Sequence, residues 1–79
     1  MSSSVFSKVQ RVLVSMGIAK DKIRPEADLK DDLGLDSFSA VEVEFALEEE
    51  FSIKISDDDM LGVKTVGDLL HAVQAKLGG

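Results

Sequence analysis

With 79 residues the chain is one small domain, 1–79, that buries only about 60% of the surface its unfolded form exposes. Its 44% apolar and 30% charged composition is globular; the lack of cysteine excludes disulfides, thiolate zinc sites, iron–sulfur clusters and thiol nucleophiles, and one histidine excludes a multi-histidine metal site. The net charge of −6 is unevenly spread: residues 26–60 hold thirteen carboxylates against Lys30 and Lys54, a net of −11, while 1–25 and 61–79 carry +4 and +1. That field repels phosphate backbones, so nucleic acid is not an expected partner; the acidic segment is either a solvated surface or a guide for a basic protein. The longest apolar runs are three or four residues, against the ~20 needed to cross a bilayer, and the N-terminus lacks the layout of a signal peptide, so a soluble, cytoplasmic protein is expected.

Residues 4–16 place Val5, Phe6, Val9, Val12, Leu13 and Met16 at helical spacing, with Ser3 or Ser4 as cap and Gly17 just past the end. Periodicity then fails from Gly17 to Asp36, and Arg24-Pro25 disfavours continued helix. A structureless stretch of this length is unusual in a small domain, so Ile23, Leu29, Leu33 and Leu35 are expected to pin an ordered loop to the core.

Ser37 to Phe51, wound at roughly 100° per residue, separates into two apolar stripes. Ala40, Val43, Leu47 and Phe51 share one face; Phe38, Val41 and Phe45 form a second on nearly the opposite side, flanked by Glu42, Glu48 and Glu49. One stripe suffices for a bundle. The second is either covered by loop 17–36 or is a docking surface with a greasy centre and a charged rim. Beyond it, Ile53-Lys54-Ile55 is too short to form a sheet alone, and Ser56 opens a capping-box pattern for a brief helical turn through Leu61. Thr65, with Asp68 three residues on, caps a last helix whose stripe is Val66, Leu69, Leu70, Val73 and Leu77. The fold expected is all-α. His71 falls on the polar side of that helix and is read as an exposed surface residue.

Familiar catalytic arrangements are missing. Leu35-Asp36-Ser37-Phe38-Ser39 lacks the glycines of a nucleophile elbow, placing Gly34 at the sixth position of a calcium loop puts Leu29 at the first, and the carboxylates lie on what reads as open surface, where little shifts a pKa. Ser37 remains, a hydroxyl at a helix start. It is either a plain N-cap or an attachment point at which a phosphodiester would meet the positive end of a helix dipole, with its arm emerging beside the second stripe.

Asp32-Leu33-Gly34-Leu35-Asp36-Ser37, joined to Val41-Glu42, Ala46-Leu47-Glu48-Glu49-Glu50-Phe51, Ile55 and Thr65-Val66-Gly67-Asp68-Leu69, resembles the acyl carrier proteins across essentially the whole chain. The resemblance implies a small four-helix bundle, three main helices plus one short helix, with a long first loop. It implies that Ser37 is esterified by 4′-phosphopantetheine from coenzyme A. The phosphopantetheinyl transferase responsible would use magnesium that the carrier need not keep, so no resident metal is expected. The terminal thiol would carry acyl groups as thioesters between acyltransferases, ketosynthases and other enzymes with basic docking patches. Phe38, Val41 and Phe45 would then be apolar contacts, and Asp36, Glu42, Glu48 and Glu49 would meet lysines and arginines. Leu47, Ile55, Met60 and Val63 would line the space into which an acyl chain retreats. Such a chain is a monomeric carrier rather than an enzyme, cytoplasmic or, once a transit peptide is removed, organellar.

The departures concern cargo. Phe38 stands where the family commonly has leucine, Ser39 where fatty-acid carriers often have aspartate, and Glu44 at a usually apolar place. Fatty-acid biosynthesis is the first expectation, a specialised D-alanyl, other aminoacyl or polyketide carrier the second, and an unmodified acidic interaction module the third.

Overall fold

The computed structural model describes Ser2–Gly78, with the side chains of residues 2–4 left aside. Helix α1 spans Ser2–Ser15, α2 Ser37–Phe51, α3 Asp57–Met60 and α4 Val66–Gly78, and the described residues form no strand. This is the expected all-α arrangement, three main helices and a short one. Ser3 and Ser4 already lie inside α1, so neither is its cap; helix start signals are commonly off by one or two residues. At the other end Gly17 N donates to Val14 O and Ile18 N to Leu13 O, the paired bonds that close a helix through a glycine at C′.

Helix α1 packs against both α2 and α4, and α3 against α4. The core takes Val9, Val12 and Leu13 from α1, Val43 and Leu47 from α2, Ile55 from the α2–α3 connection, and Val66, Leu69 and Val73 from α4. The expected stripes therefore do face inward. Leu77 is an exception, 44% exposed in the last turn of α4.

The long loop is ordered, as its aliphatics predict. Ile23 is buried, Leu29, Leu33 and Leu35 are half-buried against the core, and Ile18 and Ala27 add two buried residues. A second device is purely backbone. Leu29 N donates to Lys64 O, Val66 N to Ala27 O and Gly67 N to Pro25 O, at 2.8 to 3.0 Å, stitching the loop to the start of α4. The loop also holds a 3-10 turn at Lys20–Lys22 and a second, self-capped turn. In the latter, Asp28 Oδ1 accepts from the N–H groups of Lys30 and Asp31, and Asp32 Oδ2 from that of Asp28. It closes at Gly34, whose φ of 71° suits a residue without Cβ, and so aims Leu35-Asp36 at the start of α2.

Two reciprocal caps read from the sequence are present. Asp59 N donates to Ser56 Oγ while Asp59 Oδ2 accepts from Ser56 N. Asp68 N donates to Thr65 Oγ1 while Asp68 Oδ2 accepts from Thr65 N. Asp59 also pairs with Lys76 at 2.9 Å, tying α3 to α4.

Candidate functional site

Ser37 is the first residue of α2, and the cap is its neighbour. Asp36 has extended backbone, φ −89° and ψ −175°, and its Oδ1 accepts from Ser39 N at 2.8 Å. That N–H, then the Ser39 side chain, holds the Asp36 carboxyl below its usual range. The N-cap reading of Ser37 is thereby corrected: serine and aspartate are both good caps, and here the aspartate takes the position. The Ser37 hydroxyl is exposed.

The outer stripe of α2 is not covered by the loop. Phe38 is 85% exposed, Phe45 63% and Val41 46%. Glu42, Phe45, Ala46, Glu48 and Glu49 line one shallow groove on this face, so four of the seven expected docking residues come together there. Phe38 and Val41 lie exposed on the same stripe, and Asp36 at its N-terminal end. Glu48 differs from the rest of the rim. It is half-buried, and its Oε2 accepts from Ile55 N at 2.8 Å, fastening the segment after α2 back onto the helix.

Ser37 also opens onto a cleft of about 490 Å³ between the loop, α2 and the α3–α4 region. Leu29, Leu35, Ala40, Val43, Met60, Val63 and Leu69 supply its apolar wall. Met60 and Val63 are two of the four residues expected to line such a space. Leu47 and Ile55 do not reach it: Leu47 is fully buried and Ile55 9% exposed, both within the core. The resemblance marks these positions as interior without telling whether each faces neighbours or a void.

Glu44, marked in the sequence as a carboxylate at a usually apolar place, belongs to this wall. It lines the cleft half-buried, and partial burial, then the charges of Asp57 and Glu48, push its carboxyl above the usual range. Its spacing carried the signal, since Ser37, Ala40 and Glu44 stand at i, i+3 and i+7 on one helical face.

The bundle thus presents an uncapped serine hydroxyl at a helix start, between an open apolar stripe and a partly apolar cleft. The sequence model of the family described as "Phosphopantetheine attachment site" matches residues 8–73, most of the chain and every element that builds this site. The chain belongs to that family, whose domains carry covalently attached 4′-phosphopantetheine.

Proposed function

We propose that this protein is an acyl carrier armed at Ser37, holding acyl units as thioesters on a 4′-phosphopantetheine arm and presenting them to other enzymes. The observation that carries this reading is the division of labour at the start of α2. Asp36 caps the helix, which leaves the adjacent Ser37 hydroxyl exposed for a transferase to esterify. Because the Asp36 carboxylate already takes the N–H of Ser39, a phosphodiester on Ser37 projects outward from the helix end, where a partner can reach the arm.

The outer face of α2 supports the same role. Phe38, Val41 and Phe45 offer apolar contact, and Asp36, Glu42 and Glu49, with the free edge of Glu48, meet basic groups on the transferase, acyltransferases and ketosynthases. Exposed ion pairs contribute little each, about 0 to 1 kcal/mol, which suits a carrier that docks and leaves repeatedly while charge speeds encounter. The carrier contributes presentation, and the enzymes it visits supply catalysis. It works as a monomer, with the cytoplasm as its site of action; among the described residues no helix is long and apolar enough to cross a membrane. Enzymes of fatty-acid synthesis are the first partners by resemblance. A specialised carrier is the second reading, favoured by one observation, the carboxylate of Glu44 in the cleft wall.

The test is an intact mass after incubation with coenzyme A, magnesium and a broad-specificity phosphopantetheinyl transferase. Wild type gains one phosphopantetheine, whereas Ser37→Ala gains none and keeps its helical circular dichroism. A Ser37→Ala protein that gains the mass overturns the assignment of the site. No gain in wild type with several transferases leaves an acidic interaction module in its place.

A further inference from the structure

The cleft beside Ser37 has an uneven chemistry. Seven apolar side chains form one part of its wall, and beside Ala40 and Val43 stands Glu44, half-buried on the inward flank of α2. Among the described residues Glu44 makes no ion pair and its side chain takes no hydrogen bond, unlike Asp28, Asp32, Asp36, Glu48, Asp59 and Asp68, each of which accepts from a backbone N–H. The groups facing it add to the imbalance. Asp57 and Glu48 both act on it with like charge, and Asp28, Asp31 and Asp36 lie around the same cleft. Lys30 and Lys64 also line the cleft, yet both are exposed and neither pairs with Glu44.

A carboxylate without a donor is costly when an alkyl chain fills the space beside it, because the chain strips its water and returns no donor. A cation there removes the penalty through attraction and a charge-assisted hydrogen bond. We infer that the cleft selects an acyl unit bearing an amino group, with Glu44 as the residue that receives the ammonium while the apolar wall packs the unit's methylenes. This rests on the reading of Ser37 as the attachment point and names the cargo class of that same site, taking the specialised carrier over fatty-acid synthesis. Glu44 is thereby a specificity residue. It stands seven residues along α2 from the hydroxyl that would be armed.

The test compares two cargoes of equal size. Butyryl and β-alanyl units, differing by a methyl against an ammonium, are attached through non-hydrolysable amide analogues of the arm, and intact mass confirms loading. The Glu44 carboxyl is then titrated by NMR in the apo chain, the unloaded armed chain and both loaded forms. The expected result is a Glu44 midpoint lower in the β-alanyl form than in the other three. In Glu44→Gln, loaded with the same two units and checked by intact mass, any difference in thermal midpoint between the two loaded forms disappears. Equal Glu44 midpoints in the loaded forms, or the same fall in the unloaded armed chain, overturn the inference while leaving the carrier intact. Failure to gain the arm at all overturns the carrier reading, and this inference with it.

Discussion

On the inner face of α2, Val43 and Leu47 are 2% and 0% exposed, while on its outer face Phe38 and Phe45 are 85% and 63% exposed. Both faces are apolar, so hydrophobicity alone does not say which one holds the protein together. Their surroundings do. The inner face meets α1 and belongs to the single core cluster, whereas the outer face is rimmed by Glu42 and Glu49 and touches only a shallow groove. One helix therefore serves two constituencies: the fold depends on its inner stripe, and partners depend on its outer one.

Truncating one residue on each face separates them most sharply. Leu47→Ala removes a fully buried side chain and should cost about 2 to 5 kcal/mol, a large share of the roughly 5 to 15 kcal/mol that a domain has. Phe45→Ala, on the exposed stripe, should change stability by about 0.5 kcal/mol or less while weakening association with an acyl-processing enzyme. Urea denaturation and binding measurements on both variants check this. Similar stability losses would mean that the outer stripe is part of the core after all.

Glu48 and Glu49 repeat the comparison among charges. They are neighbours in the same groove, but Glu48 also holds Ile55 N. Glu48→Ala leaves that part-buried N–H without its acceptor and should cost about 1 to 3 kcal/mol, and hydrogen exchange at the Ile55 amide should speed up. Glu49→Ala, on the exposed rim, should stay within about 0.5 kcal/mol and slow partner association at low salt instead. An unchanged Ile55 exchange rate in Glu48→Ala would assign Glu48 wholly to the docking face.

Much of this division is legible in the chain because it is written in local spacing. Two stripes on one helix follow from the period of 3.6, and the Ser56–Asp59 and Thr65–Asp68 caps follow from a three-residue interval between an acceptor and its N–H. What escapes is decided by neighbours distant in sequence. The stitching of residues 25–29 to residues 64–67 uses backbone groups, which carry no side-chain signature. Leu47 and Val43 both read as buried, yet only Val43 borders the cleft, because α3 and the loop leave space there. Adjacent good caps, Asp36 and Ser37, cannot be ranked by propensity; the extended backbone of Asp36 decides between them.

The smallest effect contrasts the capping carboxylates with Glu44 as pH changes. Asp36, Asp59 and Asp68 all have folded values below the ordinary 3.8, with Asp59 down at about 2, chiefly through bonds from backbone N–H groups. A depressed carboxyl contributes stability that is present above its unfolded value and lost as pH falls through its folded one. The caps should therefore loosen as pH drops from about 3.8 towards 2. Glu44 has the opposite sign. Its folded value lies above the ordinary 4.5, so it withdraws stability as pH rises from 4.5 through that folded value, and the loss persists at neutral pH. In thermal melts across pH, Asp59→Asn should lower the midpoint at neutral pH and flatten the acid limb, since it removes the group whose protonation drives that limb. Glu44→Gln should raise the neutral midpoint slightly and leave the acid limb in place. A lowered neutral midpoint in Glu44→Gln would mean that the ionised carboxylate supports the empty fold, and the contrast between a carboxylate without a donor and the hydrogen-bonded caps would lose its thermodynamic meaning.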